Sequence, residues 1–146
     1  MTIKIAIIGD PFIPSKTFKL SLEKHIKLIR PKISIKFFFK DLKEKNLKPL
    51  ISKEVSEAFG NQNDVIKIAR NANILITTFA PITEYVLKSC KNLLIVACGR
   101  GGAINVNIRA STQKNVMVLY APGRNIDAVV EYTLANIINL VRKIPQ

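Results

Sequence analysis

The chain has 146 residues, 48% of them apolar, and 23 Lys and Arg stand against 10 Asp and Glu for a formal charge of +13. A domain of this size buries roughly 70% of its unfolded surface, which excludes a disordered chain, and the positive surplus favours anionic partners. Apolar runs stay far below the ~18 residues of a spanning helix, and residues 5–8 are too short for a signal-peptide core, so no membrane association and a cytoplasmic location are expected.

Residues 3–8 predict a first strand. Ser15, following Pro14, is predicted to cap a helix whose Phe18, Leu22, Ile26 and Ile29 form one stripe. His25, the single histidine, lies beside that stripe without a partner in the neighbouring sequence and reads as a packing or surface residue. Residues 33–39 predict a second strand. The lysine-rich stretch 40–48 mixes signs and lacks both aromatic residues and Arg, which marks a solvated helix face or loop rather than a nucleic-acid patch. The first 54 residues hold 13 of the basic side chains against 5 acidic ones, so the charge surplus is concentrated early.

Further along, a helix is predicted over 61–70 with Val65, Ile66 and Ala69 inward, then a strand over 74–76. Pro81-Ile82-Thr83 opens a helix over 84–89, residues 93–96 form a strand, Asn107 caps a helix to 113, and residues 116–119 form the last strand. Five strands alternating with helices predict an α/β fold with a doubly wound parallel sheet of order 2-1-3-4-5. Residues 125–144 predict a long C-terminal helix, with Asn125 as cap, Asp127 in the first turn, Arg142 and Lys143 in the last and Pro145 as a stop. Its apolar positions cover more than one stripe, so it is expected to meet a second domain or a second chain. The chain thus divides into 1–124 and a helical segment, 125–146.

In a doubly wound fold the working site lies at the carboxyl ends of the strands. That singles out Gly9-Asp10-Pro11, residues 77–81, residues 98–102 and residues 120–125. Among them Arg100-Gly101-Gly102 combines a guanidinium with glycines that let backbone amides approach a carboxylate or phosphate; the same residues also suit a tight strand-to-helix turn. A dinucleotide fingerprint fails, because Ile104 occupies the third glycine position and no acidic residue follows for the ribose. Cys90 and Cys98 read as buried thiols, with no second pair or His cluster for a metal. P-loop, HExxH and paired-carboxylate patterns are missing from the sequence.

The second half carries a set of linked motifs: residues 72–76, Ile82-Thr83-Glu84-Tyr85-Val86-Leu87, residues 91–96, Arg100 through Ile108, and Ala121-Pro122-Gly123-Arg124-Asn125 followed by residues 128–135. In order and spacing these resemble the D-isomer-specific 2-hydroxyacid dehydrogenases over about residues 65–144. The resemblance implies the amino-terminal part of a flavodoxin-like substrate domain, with the 125–144 helix leading towards a nicotinamide-binding domain and forming a homodimer. It places the substrate-binding residues at Thr78, Phe79, Arg100, Gly101 and Gly102, with a small 2-hydroxy or 2-keto acid as ligand. Two positions depart from the commoner pattern: Arg100 stands where a glycine is usual and Ile104 where an Asp precedes the Asn.

In that family the Rossmann glycines and the catalytic Arg, Glu and His follow in chain that would lie beyond Gln146. The expectation is therefore a substrate-binding portion of an oxidoreductase that uses NAD or NADP when complete, with no catalytic, cofactor-binding or metal-binding residue of its own and no activity alone. The alternative is a stand-alone flavodoxin-like binding module that recognises an acidic ligand or nucleic acid. Dispersed lysines predict nucleic-acid binding that is weak and non-specific.

Overall fold

The structure, a computed structural model, describes residues 2–29, 32–43, 49–50 and 52–144. The chain runs β1 (Thr2–Gly9), α1 (Ser15–Ile29), β2 (Ser34–Asp41), α2 (Gln62–Ala69), β3 (Ile74–Thr77), α3 (Glu84–Ser89), β4 (Ile95–Cys98), α4 (Ile108–Gln113), β5 (Met117–Tyr120) and α5 (Ile126–Arg142). All four strand pairings are parallel and the order is β2-β1-β3-β4-β5. The reversal of winding falls between β1 and β3, where Ile5 pairs with Ile74 and Ile8 with Thr77.

Alternation along the strands builds two apolar layers. On one face Ala6, Ile8, Leu75 and Val96 pack with Val65 and Ala69 of α2, Val86 and Leu87 of α3, and Ala110 of α4. On the other, Ile5, Ile7 and Ile76 meet Phe18 and Leu22 of α1. The α1 stripe does not persist: Phe18 and Leu22 pack on the sheet, whereas Ile26 is half-buried and Ile29 is 75% exposed. His25 is exposed and its Nδ1 lies 2.7 Å from the Ser21 carbonyl oxygen.

The caps refine the expectations. Asn61, Thr83 and Asn107 accept from amides in the first turns of α2, α3 and α4. Ser15 instead lies inside the first turn of α1, and Asp41 at the end of β2 does the capping: its Oδ1 accepts from the Ser15 amide at 2.7 Å and its Oδ2 from the Ser15 hydroxyl at 3.1 Å. That contact requires Gly9, since a Cβ there would collide with Ser15 N and Asp41 Oδ1. Asn125 precedes α5 but makes no side-chain cap hydrogen bond. Strand β4 starts at Ile95, two residues later than expected, since Leu93 turns into the core and the amides of Leu94 and Ile95 donate to Asn73 O. Residues 44–48 of the lysine-rich stretch, and Pro145, lie outside the described residues.

Helix α5 buries no residue: Leu134, Ile137 and Ile138 are each more than half exposed. On the α1 side of the sheet, Met117 and Leu119 of β5 are also uncovered. Among the described residues no helix is long and apolar enough to cross a membrane.

Candidate functional site

The loops that leave the carboxyl ends of β1, β3 and β4 converge, and a fourth segment, residues 52–60, lies across them. Its backbone is fastened at several points. The Ser56 amide donates to Ile104 O at 2.9 Å and the Phe59 amide to Phe79 O at 2.8 Å. Glu54 Oε2 accepts from the Glu84 amide at 2.8 Å and from Asn107 Nδ2 at 2.9 Å, joining the starts of α3 and α4. These bonds, with Lys88 adding charge attraction, hold the Glu54 carboxyl below its usual range despite a small opposing effect of burial. No period or motif marks this segment in the sequence.

Arg100 and Phe79 come together. The guanidinium carbon lies 4.8 Å from the centre of the Phe79 ring, and the same guanidinium pairs with the Glu57 carboxylate and donates to Glu57 O at 3.3 Å. Arg100 is therefore held on both sides instead of standing free. Glu57 reaches it from a left-handed backbone conformation, φ 46°.

Phe79 is also the hub of an aromatic cluster. Phe59 meets it edge-on at 5.4 Å and 81°, Phe12 at 6.2 Å and 62°. Phe12, Glu57, Phe59 and Phe79 line a cleft of about 350 Å³. Phe12 and Phe59 are additions that the sequence did not flag.

Thr78 is almost fully buried beside Gly99 rather than facing the cleft: a Cβ on Gly99 would lie 3.5 Å from Thr78 Oγ1 and 3.0 Å from Phe18 Cζ. Thr78 Oγ1 and Asp10 Oδ2 are both buried and have no hydrogen-bond partner among the described residues, at the ends of the adjacent strands β3 and β1. Gly101 is exposed and Gly102 half-buried, and the space a Cβ would occupy on either is open. Among the described residues no backbone carbonyl accepts from the amide of either glycine, so both amides are available to an anion.

Asn105 anchors the loop from behind. It is fully buried, its Nδ2 donates to Ala80 O at 2.8 Å, and its Oδ1 accepts from Cys98 Sγ at 3.2 Å. Burial pushes the Cys98 thiol up, with the Arg100 amide and charge pulling weakly the other way; Cys90 is pushed up to about 11, also by burial. Both thiols are buried and free. Among the described residues no three His, Cys, Asp or Glu side chains gather as a metal centre requires.

The sequence model of the D-isomer specific 2-hydroxyacid dehydrogenase catalytic domain matches residues 36–137. YoaD of Bacillus subtilis (strain 168), a protein bearing the 2-hydroxyacid dehydrogenase name, is 35% identical over 92 residues, 62% of this chain and 26% of that protein. A D-3-phosphoglycerate dehydrogenase of Archaeoglobus fulgidus is 28% identical over 93 residues, covering 64% of this chain and 18% of the relative. This chain thus matches about a quarter or less of the length of these relatives.

Among solved structures, the NAD+-bound 3-phosphoglycerate dehydrogenase of Entamoeba histolytica superposes with a TM-score of 0.60 at 24% identity, over 95% of this chain and 39% of that one. The NAD-dependent formate dehydrogenase of Staphylococcus aureus gives 0.62 at 15% identity, over 97% and 38%. Both likenesses concern the fold. With the family match spanning most of the sequence, the chain belongs to the D-isomer specific 2-hydroxyacid dehydrogenases, within their catalytic domain.

Proposed function

We propose that this chain is the substrate-side portion of a D-2-hydroxyacid dehydrogenase and that its Arg100-Gly101-Gly102 loop takes the carboxylate of a small 2-hydroxy or 2-keto acid, with Phe79 against the rest of the ligand. The observation that carries this reading is the pair of untied glycine amides beside open space, at the carboxyl end of β4 and next to the Phe79 loop. Thr78 contributes by filling the floor beneath Gly99 rather than by reaching the ligand.

A nicotinamide cofactor does not fit the described residues. After the glycine turn the chain passes through Ile104, Asn105 and Val106 before α4 starts at Ile108, so no helix N-terminus stands behind the glycines to receive a pyrophosphate. Hydride transfer therefore depends on an NAD or NADP domain outside these residues, and the 146 residues alone bind substrate without turning it over. The bare apolar surface of α5 and of Met117 and Leu119 fits such an arrangement: it is the surface through which a cofactor domain and a second copy of the chain would dock. Nucleic acid binds only weakly and without sequence preference, and the protein works in the cytoplasm.

Calorimetry with three ligands tests the proposal. Pyruvate binds with millimolar affinity, as a few hydrogen bonds without domain closure allow; its uncharged methyl ester does not bind, and NAD does not bind. Equal binding of the ester, or NAD binding and NADH oxidation by these residues alone, would overturn it.

A further inference from the structure

The 350 Å³ cleft has walls of a kind that constrain its occupant. Three phenylalanines reach it from widely separated points of the chain: Phe12 after β1, Phe59 from the crossing segment and Phe79 after β3. Their rings meet edge to face around Phe79, which leaves ring faces and edges as the lining. The volume exceeds the ~150 Å³ that suffices for benzene in an apolar cavity and falls in the range of small-molecule sites.

Charge at the rim is cancelled. Glu57 is the single charged residue lining the cleft among the described residues, and its carboxylate is occupied by Arg100, whose guanidinium is in turn laid on the Phe79 ring. A phosphate on the ligand would find neither a free cation nor a row of unpaired amides on these walls, and it would lose hydration against aromatic carbon without compensation. An apolar ring would gain from the same surface through burial and edge-to-face contact.

We infer that the cleft selects ligands with an apolar, ring-sized substituent over phosphorylated or unsubstituted ones, so that, on the functional reading above, the substrate is a 2-hydroxy or 2-keto acid carrying an aromatic or branched apolar group. The carboxylate sits at the glycine amides and the substituent points between Phe12, Phe59 and Phe79. Arg100 then backs the Phe79 ring from outside the lining, with Glu57 holding it there.

The test uses the 146-residue chain and four probes: pyruvate, phenylpyruvate, 3-phosphoglycerate and phenol, with ring-proton and amide shifts followed by NMR. Phenylpyruvate is expected to bind at least tenfold more tightly than pyruvate or 3-phosphoglycerate and to move the resonances of all three phenylalanines. Phe12→Ala, at a position 75% exposed and so harmless to folding, and Phe59→Leu should each shrink that preference several-fold. Pyruvate or 3-phosphoglycerate binding as tightly as phenylpyruvate overturns the inference. Phenol moving the three rings while phenylpyruvate gains nothing from its carboxylate supports the apolar selectivity and overturns the 2-hydroxy-acid reading instead.

Discussion

Arg100 and Glu57, 43 residues apart in sequence, are joined by an ion pair that lies against the Phe79 ring. Arg100 is largely shielded, with 17% of its side chain exposed, and Glu57 is open at 61%. A pair this accessible on one side adds little stability, within about 1 kcal/mol. Its consequence is for recognition. Glu57→Gln should leave the unfolding midpoint almost unchanged and free the guanidinium, raising affinity for 3-phosphoglycerate several-fold while leaving phenylpyruvate binding nearly constant. Parallel titrations of the two acids check this.

Asn105 carries the loops on which the site rests. Asn105→Ala removes the bond to Ala80 O and the acceptor for Cys98 Sγ, and leaves a fully buried carbonyl without that donor. A loss of about 1–3 kcal/mol is expected, read by urea denaturation, together with weaker ligand binding because both loops lose their common anchor.

Glu54 gives the fold an acid-sensitive joint. Its carboxyl is held below the ordinary value of 4.5 by the Glu84 amide and Asn107, so the stabilising contribution is fully present above that value and is lost as pH falls through the lower folded value. Denaturation curves between pH 3 and pH 7 should show a loss of stability below about pH 4.5 that is smaller in Glu54→Gln. An identical pH dependence in wild type and variant would show that the joint contributes nothing.

The five strands and the helices were legible because residues 3–8, 74–76 and 116–119 carry short apolar runs between helical stretches and Asn61, Thr83 and Asn107 announce helix starts. Capping at α1 was not, because the acceptor is Asp41, 26 residues away from Ser15. The same limit hid three of the four cleft-lining residues, Phe12, Glu57 and Phe59. Phe12 and Phe59 are ordinary loop phenylalanines until β1 and β3 place them beside Phe79, and residues 52–60 are fastened by backbone and carboxylate hydrogen bonds that have no sequence period. Arg100 was visible as a cation, but the partner that neutralises it lies on that unmarked segment.

Helix α5 should assemble copies of the chain. Ile137 is 52% exposed in the single chain and sits with Leu134 and Ile138 on a surface that none of the described residues buries. Light scattering over a dilution series should report a dimer, and Ile137→Lys should weaken it roughly tenfold or more through the loss of buried apolar area. A monomer at high concentration in the wild type contradicts the docking role.

Assigned amide resonances followed during titration with pyruvate and D-lactate test most directly whether the glycine loop after β4 and the loop after β3 form one carboxylate-binding site. Shifts confined to residues 99–103 and 77–80, saturating at millimolar ligand, are the predicted result. Shifts centred elsewhere on the sheet, or no saturable change at those amides, would contradict it.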